Sequence, residues 1–147
     1  MANPEHVRIL MQGVEVWNRW RSNNVNCQPD LSDARLGDMN LSGADFRFSN
    51  FTSAALRRAV LKNANFFGAD LSEADLSDCE LSGACLFRAN LSGVDLSSAK
   101  LNAADLSGTE LILANLTDAD LCDAKLRRAN LTRSDLTRDV TSLFRAT

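Results

Sequence analysis

From Leu31 to Leu136 every fifth residue is large and apolar: of 22 such positions, 19 are Leu and three, Phe46, Phe51 and Phe66, are Phe. The register never slips. Two residues before each of them, from position 34 to 134, 15 of 21 sites are Ala, and the exceptions (Met39, Ser49, Cys79, Val94, Thr109, Ser134) are mostly small. The site just before the large residue is Asp or Asn in 14 of 22 repeats, and the site just after it is Ser or Thr in 12 of 22. The fifth site is mixed, with Gly, Asp, Ser and Arg common. A period of five fits neither the 3.6 of an α-helix nor the indefinite 2 of a flat strand. Locally, though, the small residue and the Leu two places later share the alternation of a short extended segment, both on one side with Asp or Asn opposite. The next two residues must turn the chain. Asp, Asn, Ser and Gly suit such corners because their side chains bond nearby backbone or their backbone tolerates unusual angles. One short side and one corner of constant hand per five residues wind the chain into an all-β solenoid with Leu and Ala inside.

Segments such as Ala44-Asp45-Phe46, Ala74-Asp75-Leu76-Ser77 and Ala119-Asp120-Leu121 carry the pattern A(D/N)LSX. On these residues the chain resembles the pentapeptide repeat proteins over about three quarters of its length. The resemblance implies a right-handed quadrilateral β-helix with four pentapeptides per coil, so that 22 repeats make about five and a half coils. Residues 20 apart should then stack, and Phe46 with Phe66 and Phe67 with Phe87 have that spacing. With coils ~4.8 Å apart the column would be roughly 26 Å tall.

An open rod leaves unpaired edges and bare Leu at each end, so the flanking segments read as caps. This divides the chain into a cap and connector over 1–29, the repeats over 30–138 and a tail or cap over 139–147. Asn3 as N-cap, Pro4 at the first helical position and Glu5 near the positive end of the dipole start a helix. Val7, Leu10, Met11, Val14 and Trp17 form one apolar stripe, widened by Ile9 and Trp20. Gly13 weakens that helix only modestly, and Ser22 to Pro29 form a polar connector. In the cluster Arg19, Trp20, Arg21 the Trp is expected to pack inward with the Arg side chains solvated. Leu143 and Phe144 either cover the last coil or form a homodimer contact.

Chemistry-bearing constellations are scarce. His6, the only histidine, falls in the first turn of the expected helix and reads as a solvated side chain. Cys27, Cys79, Cys85 and Cys122 show no CxxC spacing, and no two differ by a multiple of 20, which suggests free thiols. Cys79 stands in the small inward column as a surrogate for Ala, whereas Cys85 and Cys122 are on outward columns. No phosphate loop, nucleophile elbow or HExxH occurs. The many Asp residues recur at the repeat period, which makes them corner chemistry, and a rod with a filled core offers no pocket for acid/base work. The expectation is no catalytic residue, no metal and no cofactor.

What remains is the outer surface. One outward column reads Arg47, Phe67, Phe87, Ser107, Arg127, with Phe48 and Arg88 beside it. Arg47, Phe48, Phe67, Phe87 and Arg88 are therefore a candidate protein-contact patch, aromatic and rimmed by charge. Ile112 and Leu113 form a weaker apolar candidate. Residues 70 to 123 hold 11 acidic side chains against Arg88 and Lys100, a balance of −9, while Arg57, Arg58 and Lys62 on one side and Lys125, Arg127, Arg128, Arg133 and Arg138 on the other make the ends basic. Asp75, Asp78, Asp95 and Asp118 are a candidate acidic face. Some members of the resembled family mimic DNA and inhibit gyrase, and others regulate cell differentiation in cyanobacteria, with caps like this Trp-rich helix. The resemblance thus implies a non-catalytic scaffold or, alternatively, a DNA mimic. The net charge of −3 and the lack of a long apolar run argue against direct nucleic-acid or membrane partners, and residues 1–30 show no secretory pattern, so a cytoplasmic protein with a protein partner is expected, monomeric or a C-terminal homodimer.

Overall fold

A computed structural model of the chain describes residues 1–137 and 146–147. Every repeat from Asp30 to Asp135 takes part in at least one parallel bridge, and every bridge joins residues 20 apart, from Asp30↔Asn50 to Asn115↔Asp135. Four pentapeptides therefore make one turn of the coil. The N–H of each large residue from Leu31 to Leu116 donates to a carbonyl of the next coil, as from Leu31 to Asn50 O at 2.7 Å. The N–H of the preceding residue donates back, as from Asn50 to Pro29 O at 2.8 Å. Successive coils are thus stitched on every side.

The corners explain the polar columns. All 14 Asp and Asn side chains before the large residue accept, through Oδ1, the backbone N–H two residues on. Asp and Asn do this equally well, so the negative charge of that column is incidental to its corner role. The fifth site is left-handed in all 21 repeats from Asp33 to Arg133, with φ between 55° and 69°. Only five of those sites are Gly, and none is β-branched, the class for which such a backbone is most costly.

Inside, the Leu and Ala columns are almost completely dry from Leu31 to Ala124. Phe46, Phe51 and Phe66 meet one another with ring centroids 4.9 to 5.5 Å apart, an aromatic plug at the start of the rod. Cys79 is buried in the Ala column, its Sγ donating to Leu56 O at 2.9 Å, and burial pushes its thiol up to about 12. At the far end Leu126, Leu131 and Leu136 are only half-buried, while the Thr147 N–H adds a rung on Ala124 O at 2.9 Å. Leu143, Phe144 and Arg138 lie outside the described residues.

The cap departs from the sequence expectation in three ways. It is two helices, α1 (Pro4–Leu10) and α2 (Val14–Asn23), because Gly13 breaks the chain at φ 108°. That turn takes Met11 out of the expected stripe and leaves it half-exposed, and it lets α2 lie on the first coil. Secondly, α2 runs through Ser22 and Asn23, so the connector begins only at Asn24. Thirdly, two polar residues expected in solvent serve the coil edge. Arg21 is 3% exposed, its guanidinium donating to Cys27 O at 2.9 Å and Arg47 O at 2.8 Å, while Arg19 faces solvent. His6 is half-buried against Trp20 and accepts the Asp30 N–H on Nδ1 at 3.0 Å.

These bonds follow from the geometry of a first coil, which has no coil beneath it to pair with. Besides those made by His6 and Arg21, the Trp17 indole N–H donates to Asp45 O at 2.8 Å, and the Asn18 amide takes the Asp45 N–H at 2.8 Å and gives to Gly43 O at 3.0 Å. The Asn3 N–H meets Asp30 O at 3.0 Å. The cap thereby completes the sides at Asp30 and Asp45, whereas those at Arg35 and Asn40 keep open backbone groups among the described residues. Among the described residues no helix is long and apolar enough to cross a membrane.

Candidate functional site

The coil places the outward columns side by side on flat walls. On the wall that begins with Asp45, the structure brings Phe48, Phe67 and Phe87 into one continuous aromatic ladder. Phe48 meets Phe67 edge-on at 5.3 Å, Phe67 stacks on Phe87 at 5.8 Å, and the Arg88 guanidinium lies 5.3 Å from the Phe87 ring centre. Gly68 makes room for the start of this ladder, since a Cβ there would come within 2.9 Å of the Phe48 ring. Phe48 is 50% exposed, whereas Phe67 and Phe87 are half-buried by their neighbours in the stack.

Arg47 belongs to the patch by position but is held sideways by Asp45, with contacts of 2.7 and 2.8 Å. Burial alone would raise the Asp45 carboxyl, but the Arg47 bonds outweigh it and keep the group below its ordinary range.

Above the aromatic ladder the same wall turns basic. Ser107 and Gly108 are small, and they leave a groove of about 470 Å³ between Phe87 and Arg88 below and Lys125, Arg127 and Arg128 above. Sequence reasoning assigned Lys125 and Arg128 only to a basic end, and read Arg127 in the column of Phe67 and Phe87 without the groove. The signal that could have placed them was already in the column Phe67, Phe87, Ser107, Arg127, where a small residue stands between large ones.

The candidate acidic residues also share one wall, the one that begins with Arg35. Asp75 and Asp95 bridge across adjacent coils, and each accepts a corner N–H on its Oδ1, from Ser77 and Ser97 respectively. Asp78 pairs with Arg57 at 3.0 Å, and lower on the same wall Arg58 pairs with Asp38 at 2.7 Å. The Arg58 bond holds the Asp38 carboxyl below its usual range. On the adjoining wall Glu80 sits between Lys62 at 2.6 Å and Lys100 at 3.0 Å, and those bonds lower it likewise. The acidic wall is therefore interrupted by cations in its first half. Leu113 is 56% exposed and Ile112 half-buried beside it, a smaller apolar feature.

Among the described residues no group of three or more His, Cys, Asp or Glu side chains is arranged to hold a metal ion. The outward columns of the described residues offer the chemistry of a surface: stacking, cation–π contact and charge pairing.

Known proteins place this architecture. Models of the pentapeptide repeats match in eight copies across residues 30–66, 56–93, 89–128 and 114–138. The pentapeptide repeat protein Rfr23 from the cyanobacterium Cyanothece 51142 is similar in structure, with a TM-score of 0.70 and 25% identity over 80% of this chain and 93% of that one. The pentapeptide repeat protein alr5209 from Nostoc is 31% identical over 88% of this chain and 91% of its own, with a TM-score of 0.43. QnrB1, a plasmid-mediated fluoroquinolone resistance protein, shares the fold at a TM-score of 0.58 and 21% identity, over 81% of this chain and 70% of that one. A comparison with curated protein sequences finds no match. The twenty-residue coil and the likeness to Rfr23 and QnrB1 describe a right-handed β-helix solenoid with an N-terminal helical cap, and the chain belongs to the pentapeptide repeat family.

Proposed function

We propose that this protein is a non-catalytic scaffold of the cytoplasm that engages another protein through the wall carrying Phe48, Phe67 and Phe87. The single observation that supports this most is the aromatic ladder itself. Sites that are Ser or Thr in 12 of 22 repeats hold Phe on two successive coils, and the rings stack on one another at the surface. Outward Phe adds nothing to the core, which the Leu and Ala columns already fill, and it exposes apolar area to water. A rigid wall presents those rings with little loss of conformational freedom on binding. The rod supplies geometry, and the surface columns supply selectivity.

The alternative, a DNA mimic acting on an enzyme such as gyrase, draws on the balance of −9 across residues 70–123. It is weakened by Arg57 and Arg58 on the acidic wall and by the corner role of Asp75 and Asp95.

Affinity capture from the source cell tests the first reading, with the wild-type chain beside a Phe67→Ser, Phe87→Ser double variant. The expected result is a partner held by the wild type and lost by the variant, with the thermal midpoint of the variant changed by no more than a few degrees. An identical set of partners would overturn it. In a supercoiling assay with gyrase the expected result is no inhibition, and inhibition would favour the mimic.

A further inference from the structure

The groove above Phe87 is a concentration of positive charge. Arg88, Lys125, Arg127 and Arg128 line it with a single acid, Asp105. None of the four cations forms an ion pair among the described residues, whereas Arg47, Arg57, Arg58, Lys62 and Lys100 each meet a carboxylate at 3.0 Å or less. Four basic side chains crowded together repel one another, and they gain most from an anion laid between them. The groove is continuous with the aromatic ladder through Phe87 and Arg88. The wall therefore has an apolar lower half and a cationic upper half.

From this arrangement we propose that the wall binds an extended protein segment with apolar side chains at one end and a short run of carboxylates at the other, the carboxylates seated in the groove over Ser107 and Gly108. The proposal rests on the scaffold reading and names the chemistry of its partner. Length fits the assignment. Phe48 and Arg128 are 80 residues and hence four coils apart. At ~4.8 Å per coil and ~3.3 Å per residue of extended chain, that span takes about six residues.

Charge selects against a long polyanion. The basic groove is small, and the walls beside it belong to the stretch with a balance of −9, which would repel the flanks of a nucleic acid while leaving a short acidic run undisturbed. Bidentate pairing by Arg127 and Arg128 suits carboxylates, and Phe87 with Arg88 above it bridges the two halves.

Fluorescence anisotropy with the full chain tests this. The probe is the labelled synthetic peptide Leu-Phe-Leu-Gly-Asp-Glu-Asp-Glu, compared with the same peptide carrying Lys in place of each acid and with a single-stranded oligonucleotide. The expected result is sub-millimolar binding of the acidic peptide alone, weakened by added salt. An Arg127→Glu, Arg128→Glu variant should bind at least about tenfold more weakly. A Ser107→Phe variant, which extends the existing ring stack into the groove, should do the same without any change of charge. Absence of sub-millimolar binding, equal binding of the Lys peptide, tighter binding of the oligonucleotide, or indifference to both variants would overturn the proposal. If these arms fail while Phe67→Ser, Phe87→Ser still abolishes capture of a cellular partner, the scaffold reading stands and only the acidic-segment assignment falls.

Discussion

Leu81→Asp is expected to destabilise the protein by at least about 5 kcal/mol, close to the whole stability of an ordinary domain. Leu81 is completely buried, stacked between Leu61 and Leu101 of the neighbouring coils, which are equally dry. Truncating a buried Leu costs about 2 to 5 kcal/mol for the lost transfer and the cavity. A carboxylate in that place adds a desolvation cost that no partner offsets, because the neighbouring columns inside are Leu and Ala. In a solenoid the damage is not shared by a large core, since each coil touches only the coils beside it. Ser82→Asp, one residue away on the outside, loses the 2.7 Å bond to Asn102 and should cost less than about 1 kcal/mol. Urea unfolding of the two variants measures the contrast. Equal effects at positions 81 and 82 would mean that the inward column has been misplaced.

Trp17→Ala should cost about 3 to 5 kcal/mol and make the protein self-associate. The ring is fully buried on the first coil, 5.7 Å from Phe46 and 5.2 Å from Trp20, and its N–H completes the Asp45 carbonyl. Removing it loosens α2, which also carries Asn18 and Arg21 onto the same edge. The carbonyls of Gly43, Asp45 and Arg47 then present a free parallel edge with Phe46 beneath it. Trp17→Phe retains most of the packing but loses the hydrogen bond, and should cost about 1 to 2 kcal/mol without self-association. Denaturant unfolding gives the stabilities, and light scattering at several concentrations gives the association. A monomeric Trp17→Ala variant as stable as wild type would show that the helices are an ornament on a rod that needs no cap.

The repeat region is legible in the sequence because its interactions are periodic. Each Leu, Ala and Asp meets the same neighbours as its counterpart five residues on, so a column of identical residue types reports one environment many times. The twenty-residue coil came from the family resemblance, the spacings of Phe46 with Phe66 and Phe67 with Phe87 only agreeing with it, and the bridges join residues 20 apart. The left-handed fifth site was hidden because Asp, Arg, Ser, Leu and Phe all adopt it there. Only the lack of β-branched residues betrays it.

The cap was less legible because its residues answer to distant backbone. Nothing near Arg21 in the chain announces that its guanidinium will meet a carbonyl 26 residues on, and a Gly in an amphipathic stretch costs a helix only about 1 kcal/mol. Gly13 breaks the helix because the coil edge demands a second direction. Similarly, Lys125, Arg127 and Arg128 look like an ordinary basic end until Ser107 and Gly108 open a groove beneath them.

The most direct test of the winding is a pair of engineered cysteines in a background where Cys27, Cys79, Cys85 and Cys122 are replaced by Ala or Ser. Ser72→Cys with Ser92→Cys puts two thiols in one outward column on adjacent coils, where a spacing of ~4.8 Å lies within the reach of a disulfide. Ser82→Cys with Ser97→Cys puts them nearer in sequence but on different walls. Four repeats per turn predicts rapid oxidation of the first pair to an intramolecular disulfide and none in the second. A bridge in the second pair and not in the first would contradict the coil on which every surface assignment depends.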